Sequence, residues 1–591
     1  MGLKLKLSTP ENVSGAQRTL IDITSALIRE LGISHVTEQG ITSGTIHDIR
    51  GISEKPHFFS AKIDLHPISK ELDKIDPESL IIDGGKIRFL KDLQVLGLDD
   101  TQIKILINNA EVYDRLNYTQ RKFRKERPKI MNSLEDAFMV AIDHRYGEPG
   151  NIFKILSTLP QAASFILADA LGNREGPYGN PLGTTLVGKE CERYHPAIAG
   201  TEEGTILVPF IKINKPLKVS GIKTESQGLA GSLLRRGYMP MHPYNFSHFA
   251  DKANILDVQF VPCYVLMSKR SMIPVGETFQ IKMSLAINIT TRKRTVYFPE
   301  TANAIKNAKV LRELASINKL PSNLWVITDD GSGQIEGDDN TTFVSRNQFE
   351  KVVSNHGQSL PKTVFPITAA SLMSENMLSP KPLIVDFAEA GVDPMLLTKD
   401  IIKKVITTAL DLRDLGLIPE MHPQNHIYLI DKNTGRLSGL IIRDNEGMKI
   451  FAERLKERFN IDYDGVFQPN IYASSLVKNG DIFRDLFNMY FDRFMINGTI
   501  TPLILALEKH FGINIEELIN FTKAVYIDWW KSHNKTFDDY QNAVSSDFYY
   551  HNRGLICLRA TGTTTGYSLL TKQSSHPLIP SYEEMKVMLS S

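Results

Sequence analysis

Apolar residues recur at helical spacing over 16–31, where Leu20, Ile23, Leu27, Ile28 and Leu31 share one face before Gly32, and the pattern returns over 101–116. The first 150 residues or so therefore read mainly as helices. Glycine, proline and asparagine then gather over 168–187, which is loop chemistry above a binding region. Segments 205–213, 258–267, 279–289 and 325–328 are rich in β-branched and aromatic residues and predict a mostly antiparallel sheet. The acidic stretch 329–340 reads as a hairpin-like loop. A calcium loop fails there because Gly331, Gly333 and Gly337 stand where oxygen ligands would be needed.

From Lys399 the period is helical again, with Ile401, Ile402, Val405, Ile406, Ala409, Leu410 and Leu412 on one face and Gly416 as the stop. Segments 426–430 and 437–442, separated by 431–435, predict a β-hairpin ahead of a helical carboxy-terminal third. The fold class expected is α+β, in three parts: a helical 1–150, a β-rich 151–385 and a mostly helical 386–591.

At 591 residues, 42% hydrophobic and 23% charged, the chain can form roughly three or four domain-sized cores and enclose a deep cleft. Its 68 basic and 67 acidic residues nearly cancel, so no global field draws it to nucleic acid or an anionic membrane. The basic run Arg121, Lys122, Arg124, Lys125 and Arg127 reads as a solvated helix face. Cys191, Cys263 and Cys557 form no Cys-x-x-Cys pair, which fits a reducing compartment, and no signal peptide, membrane span or lipidation signal is evident. A cytoplasmic protein is expected. Oligomeric state is left open, a homodimer included.

Two polar constellations carry candidate chemistry. Glu420, His422, Gln424 and Asn425 precede the hairpin, and Arg443, Asp444, Asn445, Glu446 and Gly447 follow it, so the turn brings both clusters together. Their carboxylates and amide are hard oxygen ligands suited to Mg²⁺ completed by substrate phosphates, with His422 beside them for hydrogen bonding or proton transfer. A zinc site on His422 and His426 fails because Pro423 interrupts a helix and no Glu follows the first His. The second constellation is Ser268, Lys269, Arg270 and Ser271, then Lys282 and Ser284, then Thr290 to Arg294. If 279–289 is one strand, Lys282, Ser284 and Thr290 share a face that could hold polyanions, although a Lys- and Arg-protected strand edge would look the same. P-loop, dinucleotide and serine-hydrolase signatures are absent from the sequence.

In this order the pieces resemble the siderophore synthetases of the IucA/IucC type, which work without a nonribosomal peptide template. The Ser-x-Arg-Thr element resembles Ser268, Arg270 and Ser271; downstream Lys, Thr and Arg positions resemble Lys282, Thr290 and Arg294. Glu420, His422, Gln424 and Asn425 match Glu-x-His-x-Gln-Asn, and Arg443, Asp444 and Gly447 match Arg-Asp-x-x-Gly. Pro240, His242, Pro243 and Tyr244, and the late Leu558 and Arg559, resemble two further elements.

The resemblance implies a cupped-hand thumb, fingers and palm. It also implies an ATP- and Mg²⁺-dependent ligase that adenylates a carboxylic acid such as citrate and joins it to an amine or hydroxyl. By carry-over, Ser268, Arg270, Ser271, Lys282, Arg294 and Asn425 address ATP, and Arg270, Thr290, Arg294, His422 and Arg553 address the substrate. Glu420, Asn425 and Asp444 serve the metal, with His422, Arg294 and Lys282 catalytic. The chain departs from the family where a Gly-His-Pro-x-His-Pro run is usual: it reads Gly179, Asn180, Pro181, Leu182, Gly183 and Thr184, without either histidine, and Arg553 replaces a late Lys. A kinase-like phosphotransferase, or a degenerate synthetase acting as a binding or regulatory protein, are the competing readings.

Overall fold

The computed structural model describes most of residues 205–220, 228–249, 254–347, 351–465 and 475–544, with 152–171, 577–590, parts of 80–111 and short strands elsewhere. The amino-terminal part departs from the helical expectation. Strands β1 (His35–Glu38), β2 (Ile41–Ile46), β3 (His57–Leu65), β4 (Leu72–Ile75), β5 (Ile81–Ile82) and β6 (Gly85–Lys86) form an antiparallel sheet. Short runs such as HVTE and ITSGTI are rich in β-branched residues and punctuated by turn residues, a signal that long helical periods outweigh in a sequence reading. The described residues between 100 and 111 are helical as expected, whereas 16–31 lie outside the described residues.

The middle of the chain builds an eight-stranded, wholly antiparallel sheet. Its members are β7 (Thr205–Ile213), β8 (Leu217–Ser220), β9 (Met239–Pro240), β10 (Ile255–Val265), β11 (Ser271–Pro274) and β12 (Phe279–Met283). After β13 (Leu285–Ile289), β14 (Arg292–Arg294) and β15 (Leu324–Val326), which lie in other sheets, come β16 (Asp329–Ile335) and β17 (Phe343–Asn347), giving the order β8-β16-β17-β12-β11-β10-β7-β9. Two expectations change here. Segment 279–289 is two strands, broken at Ser284. The acidic stretch 329–340 is mostly strand β16, whose Gly333 lets Phe343 pack over the backbone, followed by the hairpin turn into β17.

Each face of this sheet meets a different core. On β12, Phe279, Ile281 and Met283 join Met272, Val265, Cys263 and Phe343 in one apolar cluster. Tyr264 and Ile273, on the opposite face, belong to the larger core of the molecule. Gln280 and Lys282 therefore point toward the main body, although the strand is buried along its whole length.

The larger core surrounds a second sheet, ordered β15-β23-β22-β18. Its strands besides β15 are β18 (Val364–Thr368), then, after β19 (Glu375–Asn376), β20 (Ser379–Pro382) and β21 (Leu417–Ile418), β22 (His426–Asp431) and β23 (Leu437–Ile442). β22 and β23 form the hairpin read from the sequence, with β15 added in parallel. The helix Pro394–Asp414 lays Leu397, Ile401, Val405 and Ala409 into this core, and Asp393 caps it by accepting from the Met395 and Leu396 amides. Helices Ile152–Thr158 and Gln161–Leu171 contribute to the same core, so the buried residues do not divide at 385. A three-stranded sheet joins β21 to β24 (Lys449–Phe451) and β25 (Leu476–Val477). Among the described residues no helix is long and apolar enough to cross a membrane.

Candidate active site

The hairpin delivers its two polar clusters to one place. The Arg443 amide donates to the Asn425 carbonyl at 2.8 Å, tying the residue after β23 to the residue before β22. Asp444 follows in left-handed backbone (φ 67°, ψ 58°), a conformation that costs a non-glycine residue about 1–2 kcal/mol and turns the chain sharply off the strand. The turn is held from below: Asn445 donates its amide to Asp329 Oδ2 (3.1 Å) and its side chain to the Ile327 carbonyl (2.9 Å), while Asn307 Nδ2 donates to the Asn445 carbonyl (2.7 Å).

Onto this turn the eight-stranded sheet brings its cations. Lys282 Nζ donates to Asp444 Oδ1 at 2.7 Å and also to Glu446. Arg346, opposite Gln280 on the adjacent strand, donates through Nε to Asp329 (3.0 Å) and through Nη2 to Asp444 (3.0 Å). Burial opposes ionisation of Asp444, but Lys282 and Arg346, with Arg270 nearby, hold its carboxyl well below the usual range. Burial pushes Asp329 up to about 6 despite Arg346, with Asp444 and Glu446 adding to the rise.

Glu420 completes the cluster. Its carboxylate lies against the Cα of Gly447, where a Cβ would meet Oε2 at 2.4 Å. It accepts no side-chain hydrogen bond among the described residues, and burial, then the charge of Asp444, push its carboxyl up. Lys449 is pushed down to about 8 by burial, with Glu420 opposing. Glu446 Oε2 is buried without a hydrogen-bond partner among the described residues. Asn425 spends its Nδ2 on the Glu420 carbonyl (3.1 Å). Among the described residues no group of three or more His, Cys, Asp or Glu side chains could share an ion; of the donors expected from the sequence, Glu420 and Asp444 are carboxylates and Asn425 brings an amide oxygen. That donor set fits Mg²⁺, which binds through one or two carboxylates and completes its shell with water and phosphate oxygens.

His422 sits on the loop between β21 and β22, its Nδ1 facing the Gln424 amide at 3.4 Å and its ring edge-on to Phe494 at 5.6 Å. His426 is fully buried, its Nδ1 on the His422 carbonyl (3.1 Å) and its Nε2 on the Tyr428 hydroxyl (3.3 Å), and burial pushes it down to about 4. It is a neutral core residue. The Ser268 Oγ accepts the Ser271 amide (3.1 Å), and Ser271 pairs with Lys282 across β11 and β12, so this loop borders the cation row. Arg294 pairs through its backbone with Leu285. Its side chain, Thr290 and Arg553 lie outside the described residues, as do 179–198 and Arg559.

Sequence reading did not find Arg346 or Asp329, because each sits in an ordinary strand and acquires its partner only through sheet register. Nor did it find Asn245. This residue, in the helix opened by Pro243, donates to the Ser284 and Asn340 carbonyls (2.9 and 2.8 Å) and accepts the Ala286 amide (2.8 Å), fixing the corner where β12 ends. Arg443, within a motif, proves to serve the scaffold: it pairs with the buried Asp169 at 3.1 Å, lies over the Phe165 ring and donates to the Gln424 carbonyl.

No protein-family model matches the chain. Among curated proteins it is similar to the staphyloferrin B synthase of Staphylococcus aureus, 21% identical over 308 residues, which is 48% of this chain and 50% of that protein. The match thus spans about half the length of the curated relative. Among solved structures it is similar to the petrobactin biosynthesis protein AsbB of Bacillus anthracis (TM-score 0.66, 13% identity, 97% of this chain and 96% of that one). It is also similar to the aerobactin synthetase IucA of Klebsiella pneumoniae in its ATP-bound form (TM-score 0.58, 13% identity, 95% and 99%).

Proposed function

We propose that this chain, whose fold is that of the IucA/IucC-type siderophore synthetases, is an ATP-dependent ligase of siderophore biosynthesis that activates a carboxylic acid as its acyl-adenylate. The reading rests above all on one observation: Lys282 and Arg346 on the sheet converge on Asp444 at the hairpin, beside Glu420 and Asn425. Two substrate anions repel one another, and a fixed cation row facing an oxygen-rich metal cradle is what holds a triphosphate next to a carboxylate. The ATP-bound neighbour supports nucleotide use.

The acid is citrate or a related di- or tricarboxylate. Its oxygen attacks the α-phosphorus, and the bond to pyrophosphate breaks. An amine or hydroxyl then attacks the acyl carbon, AMP departs, and His422 takes the proton released by the nucleophile. Ser268, Arg270, Ser271, Lys282 and Arg294 grip phosphates, while Thr290, Arg294 and Arg553 address the carboxylate. Mg²⁺, held by Glu420, Asn425 and Asp444, would neutralise phosphate charge. Since Lys282 is engaged by Asp444 and Glu446, nucleotide binding shares or displaces one of those contacts. The same reading places the protein in the cytoplasm, gives it thumb, fingers and palm parts, and allows a homodimer.

The test is release of AMP and pyrophosphate from Mg-ATP with hydroxylamine as nucleophile, across citrate, succinate, 2-oxoglutarate and related acids. An acyl hydroxamate formed with AMP for one acid supports the ligase and names the acid. ADP formation would replace it with the phosphotransferase reading, and ATP binding without turnover on any acid would favour the degenerate, binding protein. His422→Ala and Arg294→Ala are each expected to abolish turnover in a folded protein.

A further inference from the structure

The small sheet of β21, β24 and β25 has chemistry at both ends. At one end Lys449 lies near Glu420, and β21 runs into the loop of His422. At the other end β24 leads to Arg454 and β25 to Lys478, and there a cavity of about 430 Å³ opens between Arg413, Arg454, Lys478 and Arg484, with one carboxylate, Asp481, and Asn479 also lining it.

Arg413 is the informative residue. It is only 6% exposed, its Nε is buried without a hydrogen-bond partner, and its guanidinium pairs with no carboxylate among the described residues. Its guanidinium lies over the Phe487 ring at 5.7 Å. The adjacent carboxylate, Asp414, is committed to Arg458 (3.1 Å) and Lys535 (3.3 Å) instead. Arg454 approaches Arg413 as a second cation: its Nη1 donates to the Arg413 carbonyl at 3.1 Å, and its guanidinium lies over Phe451 and Phe483. Arg484 shares its charge with Asp481 and Asp485 on the surface.

A buried guanidinium is normally retained where an anion compensates it, and the planar fork of arginine matches two oxygens of a phosphate or carboxylate at once. The neighbouring helix, Gly480–Tyr490, is already capped, since Asn479 accepts the Asp481 and Ile482 amides. Side chains, not the helix end, would therefore do the binding. Arg413 is also pushed down to about 10 by burial and by Arg454, as two cations crowded around an empty charge should be.

We propose that this cavity is a second binding site, separate from the candidate active site, for a small phosphate- or carboxylate-bearing anion. Arg413 forms its floor, Arg454 its wall, and Lys478 and Arg484 its rim. The cavity volume falls within the range of small-ligand sites.

Calorimetric titration of the full chain with inorganic phosphate, pyrophosphate and citrate tests it, and the tightest of the three shows whether phosphate or carboxylate chemistry is preferred. Affinity for that anion should fall at least tenfold in the rim variant Lys478→Ala/Arg484→Ala and be lost in Arg413→Gln, while His422→Ala keeps it. Should Arg413→Gln fail to fold, the rim variant, whose side chains reach solvent, decides alone. Absence of binding to the wild-type chain, or unchanged affinity in the folded rim variant, overturns the proposal. So does loss in His422→Ala with retention in the rim variant, which would assign the anion to the active site.

Discussion

Lys282 and Asp444 meet at 2.7 Å although 162 positions separate them in the chain. The contact joins the eight-stranded sheet to the hairpin turn, and both side chains are largely withdrawn from solvent. Removing one partner of such a pair strands the other charge, at about 3–5 kcal/mol. Lys282→Met should therefore lower stability by about that much, read by urea unfolding, and reduce the proposed adenylation at least a hundredfold. A variant of wild-type stability would show that Asp444 is satisfied by Arg346 alone.

Gly447 and Glu420 make a more selective pair. A methyl at position 447 must displace the Glu420 carboxylate, because its Cβ would lie 2.4 Å from Oε2 and 3.2 Å from the Glu420 Cβ. Gly447→Ala is expected to raise the Mg²⁺ concentration needed for half-maximal turnover by tenfold or more, while unfolding shifts by only about 1 kcal/mol. The Glu420→Gln variant should show the same magnesium dependence without the steric cost. Equal magnesium curves in wild type and both variants would remove Glu420 from the proposed metal site.

Asp492 lies in the π-helical segment Phe491–Ile500, which also presents Phe494 to His422. Burial raises its carboxyl from an ordinary 3.8 to about 8, with the hydrogen bond from Asn497 opposing. Between about pH 4 and pH 8 the folded protein holds a proton that the unfolded chain has released, so this group's contribution to stability falls as pH rises through that window. Asp492→Asn should match wild type near pH 4 and exceed it in melting temperature at pH 8. Parallel pH profiles for the two proteins would contradict the assignment.

Arg443 and Asp169 supply the contrast between scaffold and chemistry. They form a buried pair joining the helix Gln161–Leu171 to the hairpin, and neither faces the carboxylate cluster through that contact. Asp169→Ala should cost about 3–5 kcal/mol in unfolding, while the Michaelis constant for ATP in the folded fraction stays within about twofold. A large rise in that constant would move Arg443 from support to substrate binding.

The sequence by itself determined the local elements and the hairpin chemistry. The helical period of 399–412, the β-branched strands and the turn 431–435 are set by neighbours a few residues away, so they are visible without tertiary context. The hairpin also places Asn425 beside Arg443 by local geometry alone, which is why Glu420, Asn425 and Asp444 could be grouped in advance. The amino-terminal sheet was missed because its strands are short and their pairing is non-local. Sheet register and the packing of two cores against opposite faces of β12 decided the rest. They send Lys282 and Gln280 one way and Ile281 the other, bring Arg346 and Asp329 to Asp444, and leave Arg413 buried in a cavity. Such partners lie roughly a hundred or more positions apart in the chain, and a buried charge records its counter-ion only in space, where the cost of leaving it unpaired is felt.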